Sequence, residues 1–106
     1  MSKPVLYLSG PMSGLPDYNR PAFHAAAKAL RGKGYAVLNP AENTPPNDNP
    51  SWLDWMRVAL RQMLDADAVA LLPGWSQSRG ACIEQGLGVN LWMRAWTVDA
   101  WLADNE

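Results

Sequence analysis

Cysteine and histidine occur once each in this chain of 106 residues, as Cys82 and His24. One cysteine excludes an internal disulfide, and one of each leaves a Cys/His zinc site short of ligands. No run of lysines or arginines exists and the formal net charge is −1, so a nucleic-acid polymer finds no electrostatic footprint. No apolar stretch approaches membrane-spanning length, and Val5–Leu8 is too short for the apolar core of a signal peptide. These absences describe a cytoplasmic protein with no membrane partner, no metal and no cofactor. What is present is globular: 48% hydrophobic and 18% charged residues, enough for one domain over residues 1–106. Tryptophan is abundant, with six residues. Stacking platforms for bases sit in positive grooves, which this composition lacks, so most of the tryptophans read as core or interface.

Short apolar runs alternate with helical periodicity. Val5–Leu8 reads as a buried first strand ended by Ser9-Gly10-Pro11. A helix capped at Asp17 or Asn19, with Pro21 in its first turn, runs to Gly32 or Gly34. Tyr35–Leu38 is a second strand, and residues 41–50, with Pro45, Pro46 and Pro50, form a surface loop. Ser51 and Asp54 make a capping box for a second helix, whose inward face is Trp52, Trp55, Met56, Ala59, Leu60, Met63 and Leu64. Ala68–Leu72 is a third strand, Arg79–Met93 a third helix and Trp96–Val98 a last strand. This alternation predicts an α/β fold, a parallel sheet between layers of helices.

The stretch Leu71–Glu84 carries most of the functional information. A buried strand stops at Pro73-Gly74, and a helix opens near Ser78 with a lone carboxylate, Glu84, six residues further on. The carboxyl edge of a parallel sheet, where a loop feeds a helix N-terminus, is where such folds bind ligands. Gly80 and Gly88 lie four residues on either side of Glu84, with Gly86 close by, and glycine in a helix costs about 1 kcal/mol against alanine. Such a bare strip predicts close approach of a ligand or of another backbone. Tyr7 sits near the carboxyl end of the first strand, where its hydroxyl needs a partner: a core carbonyl, or a carboxylate such as Glu84. The loop Gly10-Pro11-Met12-Ser13 has backbone amides that suit a phosphate, but it lacks the P-loop lysine and also reads as a plain connection. Ser78 is a helix cap that can still face an anion, and Arg79 is either a phosphate ligand or an exposed first-turn residue. Asp65 and Asp67 mark a helix-to-strand junction, His24 a surface position, and Cys82 a small core residue.

Taken together, Tyr7–Gly14, Asn39-Pro40, Ala66-Asp67 and Ser78-Arg-Gly-Ala-Cys-Ile-Glu84 resemble the nucleoside 2-deoxyribosyltransferase-like superfamily. The chain is most similar to a small branch common in phage and prophage genomes, related to 2′-deoxynucleoside 5′-phosphate N-hydrolases. The likeness runs from Val5 to about Leu91, and the spacing from Ser78 through Gly80 to Glu84 is its most specific part. It implies a three-layer, flavodoxin-like (Rossmann-like) domain with a mostly parallel sheet of five strands. It also implies a reaction that cleaves or exchanges an N-glycosidic bond. By the resemblance Glu84 is the nucleophile at C1′ of the sugar and Tyr7 orients it. Gly10, Pro11, Met12 and Ser13 hold a 5′-phosphate with Ser78, Arg79 and Gly80. Transferases of the superfamily carry aspartate where this chain has Ser78, which favours the nucleotide-hydrolase pattern.

One departure stands out. Relatives carry an aspartate, the expected proton donor to the leaving base, eight residues before the Asp67 position, and this chain has Ala59 there. Asp54 is turned well away from that direction. The expected function is therefore a weak N-glycosidase of a small nucleotide or nucleoside, and the rival is a protein that binds a nucleotide without turning it over. A phage-type member of the second kind would sequester a nucleotide signal. A homodimer is also expected, because Trp92, Trp96 and Trp101 crowd the last fifteen residues and relatives complete the pocket with a neighbouring subunit.

Overall fold

The computed structural model describes residues 3–104. The elements in chain order are β1 (Leu6–Ser9), α1 (Arg20–Gly32), β2 (Val37–Leu38), α2 (Trp52–Leu64), β3 (Ala68–Leu71), α3 (Arg79–Asn90), β4 (Arg94–Thr97) and α4 (Val98–Ala103). The strands form one parallel sheet in the order β2-β1-β3-β4. The mixed α/β class and the parallel sheet agree with the alternation read from the sequence. The five strands do not: among the described residues the sheet has four. Beyond Thr97 the chain turns into α4, whose first N–H groups are satisfied by Thr97, its hydroxyl accepting from the Ala100 amide at 3.1 Å. The last strand is thus Arg94–Thr97 rather than Trp96–Val98.

Alternation along β1 and β3 divides the apolar residues between two clusters, one on each face of the sheet. Leu6, Leu8, Ala68, Ala70 and Leu72 pack with Phe23, Ala26, Ala27 and Leu30 of α1 and Val98 and Trp101 of α4. Tyr7, Val69 and Leu71 pack on the other side with Met63 and Ala59 of α2 and Leu87 of α3. Trp101, expected at an interface, is only 1% exposed. Its indole donates to the Val69 carbonyl at 2.9 Å and its ring meets Tyr35 and Trp96, so α4 brings it into the core. Trp92 is the opposite case, 95% exposed.

The capping box at α2 is present, with Ser51 and Asp54 exchanging hydrogen bonds. The inward face of that helix is narrower than its spacing predicts: Met56 and Met63 are buried, whereas Trp52 and Leu64 are exposed. At α1 the cap differs from expectation. Asn19 has a left-handed backbone, and its side-chain amide donates to the Pro11 carbonyl at 2.9 Å instead of capping the helix. Helix α3 ends at Asn90 and not at Met93 because Trp92 adopts φ 65°, with the Met93 amide donating to the Gly88 carbonyl at 2.8 Å. This is the paired 6→1 and 5→2 closure normally made around glycine. Cys82 is exposed rather than a core residue, because α3 buries Ala81, Glu84 and Gly88 and turns position 82 outward. The Asp67 carboxylate accepts from the Val5 amide at 2.8 Å at the amino end of the sheet, a junction role as expected.

Candidate functional site

Chain order and strand order together locate the crevice. From β1 the chain leaves to β2 on one side, and β3 lies on the other, so the loops after β1 and β3 diverge at the carboxyl edge. Those loops touch: a Cβ on Gly74 (φ 84°) would sit 3.4 Å from Cγ of Pro11. Gly10 is a glycine for a steric reason, since a Cβ there would fall 2.7 Å from Cβ of Leu72. The first residue beyond β3 thus presses the loop after β1 close to the sheet.

Below these loops, β1 and α3 bring three polar side chains together. Tyr7 and Ser9 share one face of β1, two residues apart, and both point to α3. The Tyr7 hydroxyl donates to Oε2 of Glu84 at 2.6 Å, and the Ser9 hydroxyl donates to Oε1 at 2.6 Å. All three side chains are buried, with Glu84 5% exposed. Burial pushes the Glu84 carboxyl above its ordinary range, and the two hydroxyl hydrogen bonds oppose that shift. Burial also holds the Tyr7 hydroxyl well above its usual value, helped by the negative charge of Glu84 and by the hydrogen bond, so Tyr7 stays a neutral donor. A carboxylate held by one short hydroxyl on each oxygen has a fixed orientation and retains lone pairs on both oxygens, as a nucleophile or base needs.

Of the two partners left open for Tyr7, the carboxylate is the one found. Ser9 was missed, because it ends an apolar run and reads as the first residue of a loop. The signal was there in its spacing of two from Tyr7, which puts both on one face. Two of the glycines beside Glu84 lie against side chains, whereas a Cβ on Gly86 would meet nothing within 4 Å. A Cβ on Gly80 would meet Sδ of Met56 at 3.2 Å, and one on Gly88 would meet Cγ2 of Val69 at 3.4 Å. They admit side chains of α2 and β3, which lets α3 lie close enough for Glu84 to reach β1.

The remaining candidates make other contacts. Ser78 caps α3, its hydroxyl accepting from the Ala81 amide at 3.3 Å. Arg79 is exposed, with its guanidinium 5.0 Å from the centre of the Trp52 ring. Ser13 is exposed, whereas the Met12 side chain packs against the core cluster on the face opposite Glu84. Ala59 is partly buried in the cluster that contains Tyr7. Two surface clefts, one beside Trp96 and Ala100 and one beside Asp67 and Trp92, include none of these residues. Among the described residues no group of three or more His, Cys, Asp or Glu side chains could hold a metal ion, and no helix is long and apolar enough to cross a membrane.

Residues 4–95 match the family described as a domain of unknown function, DUF4406, and the chain belongs to that family. No curated protein and no solved structure matches it.

Proposed function

We propose that this protein is a nucleotide-processing enzyme of the N-glycosidase type, acting on a (deoxy)nucleoside 5′-monophosphate with Glu84 as nucleophile. The observation that carries the reading is the buried Glu84 carboxylate, with the hydroxyls of Tyr7 and Ser9 on its two oxygens, beneath the crevice between β1 and β3. A carboxylate oxygen attacks C1′, the C1′–N bond breaks, and its electron pair leaves with the base, which takes up a proton. Water or a second base then displaces the sugar from Glu84, giving hydrolysis or exchange. The oxocarbenium-like character of such a centre is what an ionised, oriented carboxylate stabilises. The 5′-phosphate lies against the loop Gly10-Pro11-Met12-Ser13, where Gly10, Met12 and Ser13 have backbone N–H groups to offer, and the α3 N-terminus at Ser78, Arg79 and Gly80. The contact between Pro11 and Gly74 supports this placement, since it brings the two loops side by side. The strand order, with helices against both faces, supports a three-layer flavodoxin-like arrangement of the nucleoside 2-deoxyribosyltransferase-like kind.

Incubation with a panel of nucleosides and 5′-monophosphates tests the reading, with free base and melting temperature recorded together. The expected result is base release, with larger thermal stabilisation by monophosphates than by the matching nucleosides. Equal stabilisation by both moves the function to nucleoside transfer.

Ala59 favours a second reading, a cytoplasmic phage-type protein that binds a nucleotide signal without cleaving it. No carboxyl group stands at the position from which relatives protonate the leaving base, and the alanine packs beside Tyr7. In either reading the protein is a homodimer. Trp101 is buried and lends the dimer no support, whereas Trp92 and Trp96 are exposed, as are Trp52, Leu53 and Leu64 of α2. A monomer mass by light scattering at micromolar concentration contradicts the dimer.

A further inference from the structure

We propose that Ser9 is a positioning residue: its hydroxyl, paired with that of Tyr7, locks the Glu84 carboxylate in one orientation and ionised beneath the crevice. This rests on the reading of Glu84 as the reacting group. Ser9 is the last residue of β1, 1% exposed, with its carbonyl accepting from the Leu72 amide at 2.8 Å. Its backbone is thereby fixed by β3, and its side chain has one short rotor with which to meet Oε1 of Glu84 at 2.6 Å. Tyr7 alone leaves the carboxylate free to turn about its last torsion. A second donor on the other oxygen removes that freedom, and short hydroxyl-to-carboxylate bonds are the strong, charge-assisted kind. Nothing else nearby does this work. On that face α2 contributes Met56, Ala59 and Met63, and β3 contributes Val69 and Leu71, none of them titratable. Asp54 and Arg57 of α2 pair with each other, and Arg79 of α3 lies against Trp52. Tyr7 is therefore the one titratable group bonded to Glu84, and it stays neutral. Ser9 supplies what a second charged partner would otherwise supply.

The test is a carbon-13 titration of the Glu84 side-chain carboxyl, assigned by its loss in Glu84→Gln, in the full chain. Ser9→Ala is expected to move the titration midpoint up by about one pH unit, the effect of removing one hydrogen bond to a charged group. Ser9→Thr, which keeps the hydroxyl, is expected to return it toward the wild-type value. A midpoint unchanged in Ser9→Ala overturns the proposal. In the wild-type protein a slowly exchanging hydroxyl proton is expected for Ser9, assigned by its loss in Ser9→Ala. Its absence also overturns the proposal. Base release by wild type and Ser9→Ala separates the two claims. A shifted midpoint without any base release leaves Ser9 in place and removes the glycosidase reading. Wild-type base release with an unshifted midpoint does the reverse.

Discussion

Restoring a proton donor at position 59 is the perturbation that most sharply divides an enzyme from a binder. Ala59 lies partly buried on α2 and packs in the cluster of Tyr7, Met63, Val69 and Leu71. Ala59→Asp therefore introduces a carboxyl group on the Tyr7 side of the sheet, next to apolar side chains. Burying a polar group without a full set of partners costs about 1–3 kcal/mol by protein mutational data. A domain of this size is typically stable by roughly 5–15 kcal/mol, so even the worst pairing of those figures leaves about 2 kcal/mol. That is a folded-to-unfolded ratio of roughly thirty to one for the neutral acid, and because an ionised carboxylate costs more to bury, the melting temperature of Ala59→Asp is recorded beside its rate. A positioned general acid contributes about 10²–10⁴-fold. The assay is release of free base from a natural 5′-monophosphate, run beside a substrate whose leaving group needs no proton. The expected result is a gain of that order on the natural nucleotide and a much smaller one on the activated substrate. If Ala59→Asp gains nothing on any nucleotide while nucleotide binding persists, the missing acid is not what limits the protein, and the binding reading replaces the enzymatic one.

Two further predictions concern stability. Because burial holds the Glu84 carboxyl above its ordinary range, the folded chain binds that proton more tightly than the unfolded chain does. Below about pH 4 both states carry the proton; as pH rises from there through the folded-state value, the unfolded state ionises first and stability falls. Glu84→Gln is thus expected to raise the melting temperature at pH 7 and to raise it much less at pH 4; an equal gain at both pH values contradicts the burial argument. Trp92, at φ 65° and 95% exposed, closes α3 where glycine is the ordinary choice. A bulky residue there is strained by about 1 kcal/mol, so Trp92→Gly is expected to raise the melting temperature by roughly 4–8 °C in calorimetry. A lower melting temperature would show that the exposed indole is held by a contact worth more than the strain.

The parts of the molecule legible from sequence are those where a single local rule decides. Strands β1 and β3 are apolar runs stopped by Gly10-Pro11 and Pro73-Gly74, and α2 opens on a capping box, so their places follow from nearest neighbours. The last strand begins two residues earlier than Trp96–Val98, because Thr97 ends β4 and caps α4, a junction that an apolar run does not mark. Trp101 is expected at an interface because three tryptophans crowd that end of the chain, and its burial depends on α4 packing against α1, which no local pattern declares. Glu84 stands out because a lone carboxylate among helix glycines is unusual, yet what Gly80 and Gly88 make room for is tertiary: Met56 and Val69 reach α3 from elements distant in sequence. Cys82 went wrong for a related cause. Which side of a glycine-rich helix faces the sheet is set by packing, and α3 has too little amphipathic pattern to declare it.

The most direct measurement is the intact mass of the protein after exposure to a 2′-fluorinated nucleoside 5′-monophosphate, whose electron-poor sugar slows both formation and hydrolysis of the bond to the nucleophile and so lengthens the life of the sugar–enzyme intermediate. The account predicts release of free base together with a mass gain equal to the fluorinated sugar phosphate, mapped to the peptide that carries Glu84 and absent in Glu84→Gln. Free base released at an undiminished rate by Glu84→Gln, or a sugar phosphate attached to any residue other than Glu84, contradicts it.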